Sequence, residues 1–105
     1  MTEYESIRRG FQHLLDRVGV PIECNGVTKK CVTGAIERAR YTRQNIVQEN
    51  ADSIADMFRE DFESFTNFKI NESIVKISGT DFNVLTVDGD DTDPCVHLVL
   101  AIARA

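Results

Sequence analysis

A chain of 105 residues that is 42% hydrophobic and 28% charged has the make-up of one globular domain with a single modest core. No apolar run approaches the roughly 20 residues that span a bilayer, and the opening MTEYESIRRGF has no apolar stretch of the kind a secretory signal needs. The formal charge of -5 weighs against a plain nucleic-acid binder, which needs clustered Lys and Arg to neutralise phosphates.

The first predicted element is a helix over residues 2–18. Thr2 and Glu5 match a capping box, and Tyr4, Ile7, Phe11, Leu14, Leu15 and Val18 recur at helical spacing. Arg8, Arg9, Gln12, Asp16 and Arg17 make the opposite, solvated face. Gly19 stands where a left-handed C-terminal cap belongs, and Pro21 stops the helix from continuing. The apolar stripe, Phe11 and Leu14 above all, is expected to pack on a sheet.

The period then changes from helical to extended. Residues 20–40 read as a β-hairpin around Asn25-Gly26, a pair suited to a two-residue turn whose central positions both need φ > 0. Gly34 reads as a bulge or a point of close approach. Residues 41–53, YTRQNIVQENADS, are polar and weakly patterned, and are expected to form a long mobile loop. The stretch from Ile54 to Phe68 is ambiguous. Ile54, Phe58 and Phe62 fall on one face of either a helix or a strand.

The last forty residues read as an antiparallel meander. Ile74, Val75 and Ile77 form one run. Phe82, Val84, Leu85 and Val87 form the next, and Val96, Leu98, Leu100 and Ile102 alternate along the third. The turns are SGTD and VDGDDTDP. The predicted class is α+β, mainly β: an N-terminal amphipathic helix followed by a small antiparallel β-barrel or sandwich, in one domain over 1–105, with 54–104 as strand plus meander.

The acidic turn invites comparison with a calcium loop. From Asp88, an EF-hand pattern needs Gly at the sixth position and a bidentate Glu at the twelfth. Those places hold Asp93 and Val99. A hairpin connection accounts for the same letters, with Gly89 supplying φ > 0, Asp side chains bonding nearby backbone N–H groups and Pro94 opening the next strand. The reading is a structural turn first and an acidic contact surface second.

No cofactor, metal or catalytic residue is expected. The chain contains no G-x-S-x-G, Walker A, G-x-G-x-x-G or H-E-x-x-H motif. Glu60 and Asp61 are ordinary surface carboxylates with no cleft to mark them. His13 and His97 lie near no motif and read as partly exposed structural imidazoles. Cys24, Cys31 and Cys95 read as reduced, buried small hydrophobes, in preference to a disulfide across the hairpin.

Charge is divided along the chain. Residues up to 48 carry eight basic and five acidic side chains, about +3. Those from 49 onward carry four and twelve, about -8. Chains with one basic and one acidic half can associate head to tail.

This succession of helix, Asn25-Gly26 hairpin, polar connection, strand near Phe58-Arg59 and closing meander resembles the head-tail joining (head-completion, stopper) proteins of long-tailed bacteriophages. The meander in question has Ile74 and Ile77, Gly79, Phe82 to Val87, an acidic turn and a Leu-rich final strand. The family includes the lambda head-tail joining protein. The likeness covers most of the chain and rests on order and size, not on a catalytic fingerprint. It implies a strand over Ile54 to Arg59. It also implies a non-enzymatic virion protein of the phage neck, assembled in the host cytoplasm, which binds beneath the portal to close the DNA-filled head and attach the tail. Expected partners are a portal or adaptor ring, a tail-terminator or tail-tube protein, copies of itself in a ring and the packaged DNA end, with no membrane. Arg38, Arg40, Arg43 and Gln44, with Asp90 and Asp91 on the acidic turn, are the expected contact residues. The alternatives are a tail-terminator ring protein, or a small cytosolic module that binds a ligand or peptide.

Overall fold

A computed structural model describes residues 2–34 and 51–103. Helix α1 runs Glu3–Val18, and strands β1 (Val20–Cys24) and β2 (Val27–Gly34) follow. Strand β3 (Ser53–Phe58), the short helix α2 (Arg59–Glu63), β4 (Ile74–Ile77), β5 (Thr80–Asp88) and β6 (Cys95–Ile102) complete the order. The six strands form a closed barrel in the sequence β1-β2-β3-β6-β5-β4, and every neighbouring pair is antiparallel. The α+β, mainly β class holds, and the barrel is the one realised of the two expected architectures.

Local chemistry explains the turns. The hydroxyl of Thr2 accepts from the Glu5 backbone N–H at 3.1 Å and caps α1. Asn25 and Gly26 have φ of 51° and 85°, so both central positions of the β1–β2 turn are left-handed as a primed turn requires. Ser78 and Gly79, with φ of 50° and 83°, repeat the device between β4 and β5.

Several expectations are corrected. Gly19 is not a left-handed cap, since its backbone is extended at φ -66° and ψ 143°. A β-carbon there would come within 2.4 Å of the Leu15 carbonyl oxygen, so close approach is what demands glycine. Gly34 is neither a bulge nor a tight spot. It pairs with Ile54, and its missing β-carbon would meet nothing. The irregularity lies instead in β5, where Val84 pairs with Leu100, Thr86 pairs with Val99 and Leu85 is the extra residue between them. That inserted residue is why Phe82, Val84 and Val87 all join the core despite breaking a period of two.

Residues 54–58 are strand, as the family resemblance implied, whereas Arg59, which it placed in the same strand, opens α2. The loop expected over 41–53 ends earlier than read, because Ser53 already belongs to β3. Its residues up to 50, and the hairpin residues 35–40, lie outside the described residues.

The core has two compartments. Inside the barrel, Ile22, Met57, Val75, Val84, Leu98 and Leu100 are buried together, with Phe65 and the half-buried Phe62 and Phe68 stacked on the cluster. A six-stranded barrel is narrow enough for such side chains to fill it, and each contributes about 1.5–3 kcal/mol. The second compartment lies on the outer wall under α1. Leu15, Phe58 and Cys95 are buried there, and Phe11 and Val32 pack against them. The rings of Phe11 and Phe58 meet edge to face at 5.0 Å. Strand β6 is therefore buried on both faces from Cys95 to Ala101, apart from half-buried His97, rather than alternating as expected. Its last apolar residue, Ile102, is exposed.

The helix stripe is the largest correction. Only Leu15 of α1 is buried, while Tyr4, Ile7, Leu14 and Val18 are exposed. The barrel wall is convex, and one straight helix touches it along a line narrower than the apolar stripe.

Candidate functional site

Strand pairing assembles the site. β6 lies between β3 and β5, so Asp56 of β3, His97 of β6 and Asp88 of β5 stand in one row across the outer wall. Residues directly opposite in an antiparallel ladder share a face. The turn from Asp88 to Pro94 rises beside this row, and the N-terminal half of α1 lies opposite. Between them runs an open groove of about 980 Å³, with Glu3, Tyr4, Ile7 and Phe11 on the helix wall and Asp56, Asp88, Asp90, Asp93 and His97 on the other.

The acidic turn is built by its own carboxylates. Asp88 Oδ1 accepts from the Gly89 N–H at 2.9 Å, and Asp90 Oδ1 accepts from the Thr92 N–H at 2.9 Å and the Thr92 hydroxyl at 2.5 Å. Asp93 Oδ1 accepts from the Cys95 N–H at 2.9 Å. The bonds from the Thr92 and Cys95 N–H groups, each two residues after its aspartate, are Asx-turn bonds, in which a short acidic side chain stands in for a backbone acceptor. Gly89 is required at φ 126°, and a β-carbon there would fall 2.9 Å from the Cys95 carbonyl oxygen. Arg59 ties the turn to β3: its guanidinium donates to the backbone carbonyls of Asp90 and Asp93, and its own N–H donates to the Pro94 carbonyl at 2.9 Å. The Thr92 hydroxyl and N–H hold the Asp90 carboxyl below the usual carboxylate range. Among the described residues, no group of three or more His, Cys, Asp or Glu side chains is arranged to hold a metal ion.

His97 is clamped from both sides. Its Nδ1 lies 2.6 Å from Asp56 Oδ1 and its Nε2 3.0 Å from Asp93 Oδ2. The Asp56 bond, with Asp93 second, outweighs the cost of burial and raises the imidazole from 6.5 to about 9. The ring is therefore an imidazolium at neutral pH, and both N–H groups donate to carboxylates.

Cys95, two residues away on the same strand face, invites a thiol–imidazole reading, which the geometry rejects. Both His97 nitrogens are engaged by aspartates, so neither can take a proton from sulfur. The thiol is buried under α1, and desolvation, aided by the nearby Asp93 and Asp56, pushes it up to about 12. A neutral thiol beside a charged imidazolium is the reverse of an activated pair. The Asp56–His97–Asp93 cluster joins β3, β6 and the turn.

On the helix side, Arg8 bonds Glu60 of α2, and its guanidinium carbon lies 4.5 Å from the centre of the Phe58 ring. This contact anchors the middle of α1 on the barrel.

Of the residues expected to make contacts, Asp90 lines the groove. Asp91 is exposed in the same turn but is not part of the lining. Arg38, Arg40, Arg43 and Gln44 lie outside the described residues. The participants not foreseen are Asp56, Arg59, Asp93, His97, Tyr4 and Ile7. Their convergence depends on β3 pairing with β6 across forty intervening residues, for which a linear reading carries no signal.

No protein-family model matches the chain, and no curated protein does. Among solved structures, the fold is similar to that of a Salmonella typhimurium protein described as an ATP-binding sugar transporter-like protein. The TM-score is 0.57, the identity 15%, and the match covers 94% of this chain and 90% of that one. A likeness at that identity concerns the fold alone.

Proposed function

We propose that the chain is a structural protein of a bacteriophage neck, a head-completion subunit that binds beneath the portal, closes the DNA-filled head and offers the tail its attachment surface. The observation that carries this reading is the order of elements: one amphipathic helix, a tight hairpin, a lone strand and a closing meander, wound into a barrel whose inside is filled with side chains. That is the order on which the resemblance to head-tail joining proteins rests. Among the described residues the inside of the barrel is occupied by side chains, which favours its outer surface as the working one. Its partners are then the portal or adaptor ring, a tail-terminator or tail-tube protein, neighbouring copies and the packaged DNA end, and its place is the head–tail interface of the virion. Arg38, Arg40, Arg43 and Gln44 are assigned to a neighbouring copy or the DNA end, and Asp90 and Asp91 to a basic partner surface. The role is assembly without catalysis.

The description of the Salmonella protein suggests a nucleotide or sugar ligand instead. Here the groove is lined by carboxylates, which repel phosphate, and the sequence has no Gly-rich cradle.

The test is genetic and biochemical. Deleting the gene from the phage that encodes the chain should leave DNA-filled heads that leak and tails that stay free, and adding purified protein to such an extract should restore infectious particles. Tails of abnormal length with sound heads would move the assignment to a tail terminator. A full yield from the deletion phage would overturn a neck role altogether.

A further inference from the structure

We infer that the groove along α1 docks a basic amphipathic segment of a partner protein, with the apolar flank of the helix as its seat and the acidic turn as its selector. The flank is the first observation. Ile7, Leu14 and Val18 are 45%, 43% and 55% exposed, whereas Leu15 of the same helix is 4% exposed. On a helical wheel the three fall on one side of the line through Phe11 and Leu15 that touches the barrel, and Ile7 and Leu14 are two turns apart, about 10 Å. Of the three, Ile7 lines the groove itself, and Leu14 and Val18 carry the exposed apolar flank beyond its end, a patch of the kind that marks an interaction surface.

What covers it is decided by the charge of the groove. Glu3, Asp56, Asp88, Asp90 and Asp93 bring five formal negative charges to the groove, while His97 and Arg59 return two positive ones, a local balance of -3. Nucleic acid, an anionic lipid surface and any phosphate-bearing ligand meet like charge there. An uncharged polar ligand leaves the ridge of Ile7 and Leu14 in water. A segment with apolar side chains on one face and Lys or Arg on the other satisfies both walls at once, the one against α1 and the other against Asp88 and Asp90.

The wall is also preorganised. Asp93 is fixed by His97 and by the Cys95 N–H, Asp90 by Thr92, and the whole turn by Arg59, so little side-chain entropy is lost when a cation arrives.

This inference rests on the groove and not on the neck reading, and purified protein tests it without any phage. The probe is a synthetic helix of about four turns with Leu at every third and fourth position and Lys between. Its controls are a twin with Glu for Lys and a scrambled Lys peptide of equal charge. The amphipathic Lys peptide should bind at least about tenfold tighter than either control, and more weakly as salt rises. Ile7→Ala with Leu14→Ala, and separately Asp88→Asn with Asp90→Asn, should each weaken it by about tenfold, whereas Glu72→Gln with Asp81→Asn, away from the groove, should not. Asn keeps the oxygen acceptors of the turn. Should a groove variant melt early, peptide-induced shifts of the Ile7, Leu14 and Asp90 amides in the unaltered protein give the same answer. Equal binding of the scrambled peptide, indifference to both groove variants, or no binding would overturn the proposal. Self-association that Ile7→Lys abolishes would put a second copy in the groove and overturn the assignment to a foreign partner.

Discussion

His97 carries the most consequential single-residue chemistry in the molecule. Its folded-state affinity for a proton lies above the ordinary value, about 9 against 6.5, because Asp56 and Asp93 favour the charged ring. A raised folded-state value means that the clamp contributes its full stability below pH 6.5 and loses it as pH climbs through 9. Both aspartates are about a third open to solvent, so the contribution is about 2 kcal/mol, less than a direct conversion of the shift. Denaturant unfolding of the native chain and of His97→Gln should show a gap that is widest near pH 6 and has largely closed by about pH 10. A gap that does not change over that range would mean that the ring is held by packing and not by charge. The spacing of Asp93 and His97 is visible in the sequence, but Asp56 is not visible as their partner, since only the β3–β6 pairing brings it opposite.

At the scale of the element, α1 separates amphipathicity from burial. Its cap, its length and its apolar side follow from local chemistry, and all three are present. Which apolar residues touch the barrel does not follow, because Leu14 and Leu15 are neighbours some 100° apart on the helix and both belong to the stripe. The wall accepts Leu15 with Phe58 and Cys95 and leaves Leu14 outside. Leu15→Ala should therefore cost about 2–4 kcal/mol through the lost contacts and the cavity left behind. Leu14→Ala should stay within about 0.5 kcal/mol. Chemical denaturation of the two variants decides the register, and equal losses would mean that the helix is rotated from its described position. The expectation that Leu14 packs on the sheet is thus replaced by the prediction for its neighbour.

For the whole molecule, closure of the barrel fixes the state of the sulfurs. Cys24 pairs with Val27 and Cys31 with Val20, so the two stand at opposite ends of the β1–β2 ladder, about four residues or 13 Å apart along the strands. A bridge needs Cα atoms within about 7 Å, so no disulfide crosses this hairpin. All three thiols are free and buried, Cys31 pushed up to about 12 and Cys24 upward by desolvation, and Cys95 to about 12 by desolvation with Asp93 and Asp56 beside it. An aromatic disulfide reagent at mildly alkaline pH should leave the native chain unlabelled and react with all three cysteines once denaturant is added. Rapid labelling of the native protein would show that the barrel opens readily, at the β1–β4 seam if Cys24 is the residue modified. Among the described residues no helix is long and apolar enough to cross a membrane.

The sequence alone determined what local physics controls: the capped helix, the two Gly-containing tight turns, the three strands of the meander after residue 73, and an acidic connection that works as a turn. Each depends on residues within a few positions of one another, where φ preferences, side-chain-to-backbone bonds and apolar period act directly. Tertiary structure decided the rest. It closed the sheet by pairing β1 with β4 and β3 with β6, displaced the period of β5 at Leu85, and buried Leu15 in place of Leu14. It also faced an apolar helix flank with Asp56, Asp93 and His97 across one groove. Apart from the β5 shift, which arises against the adjacent β6, those outcomes depend on residues some forty positions or more apart meeting on a curved wall. The geometry of that wall exists only when all six strands are in place.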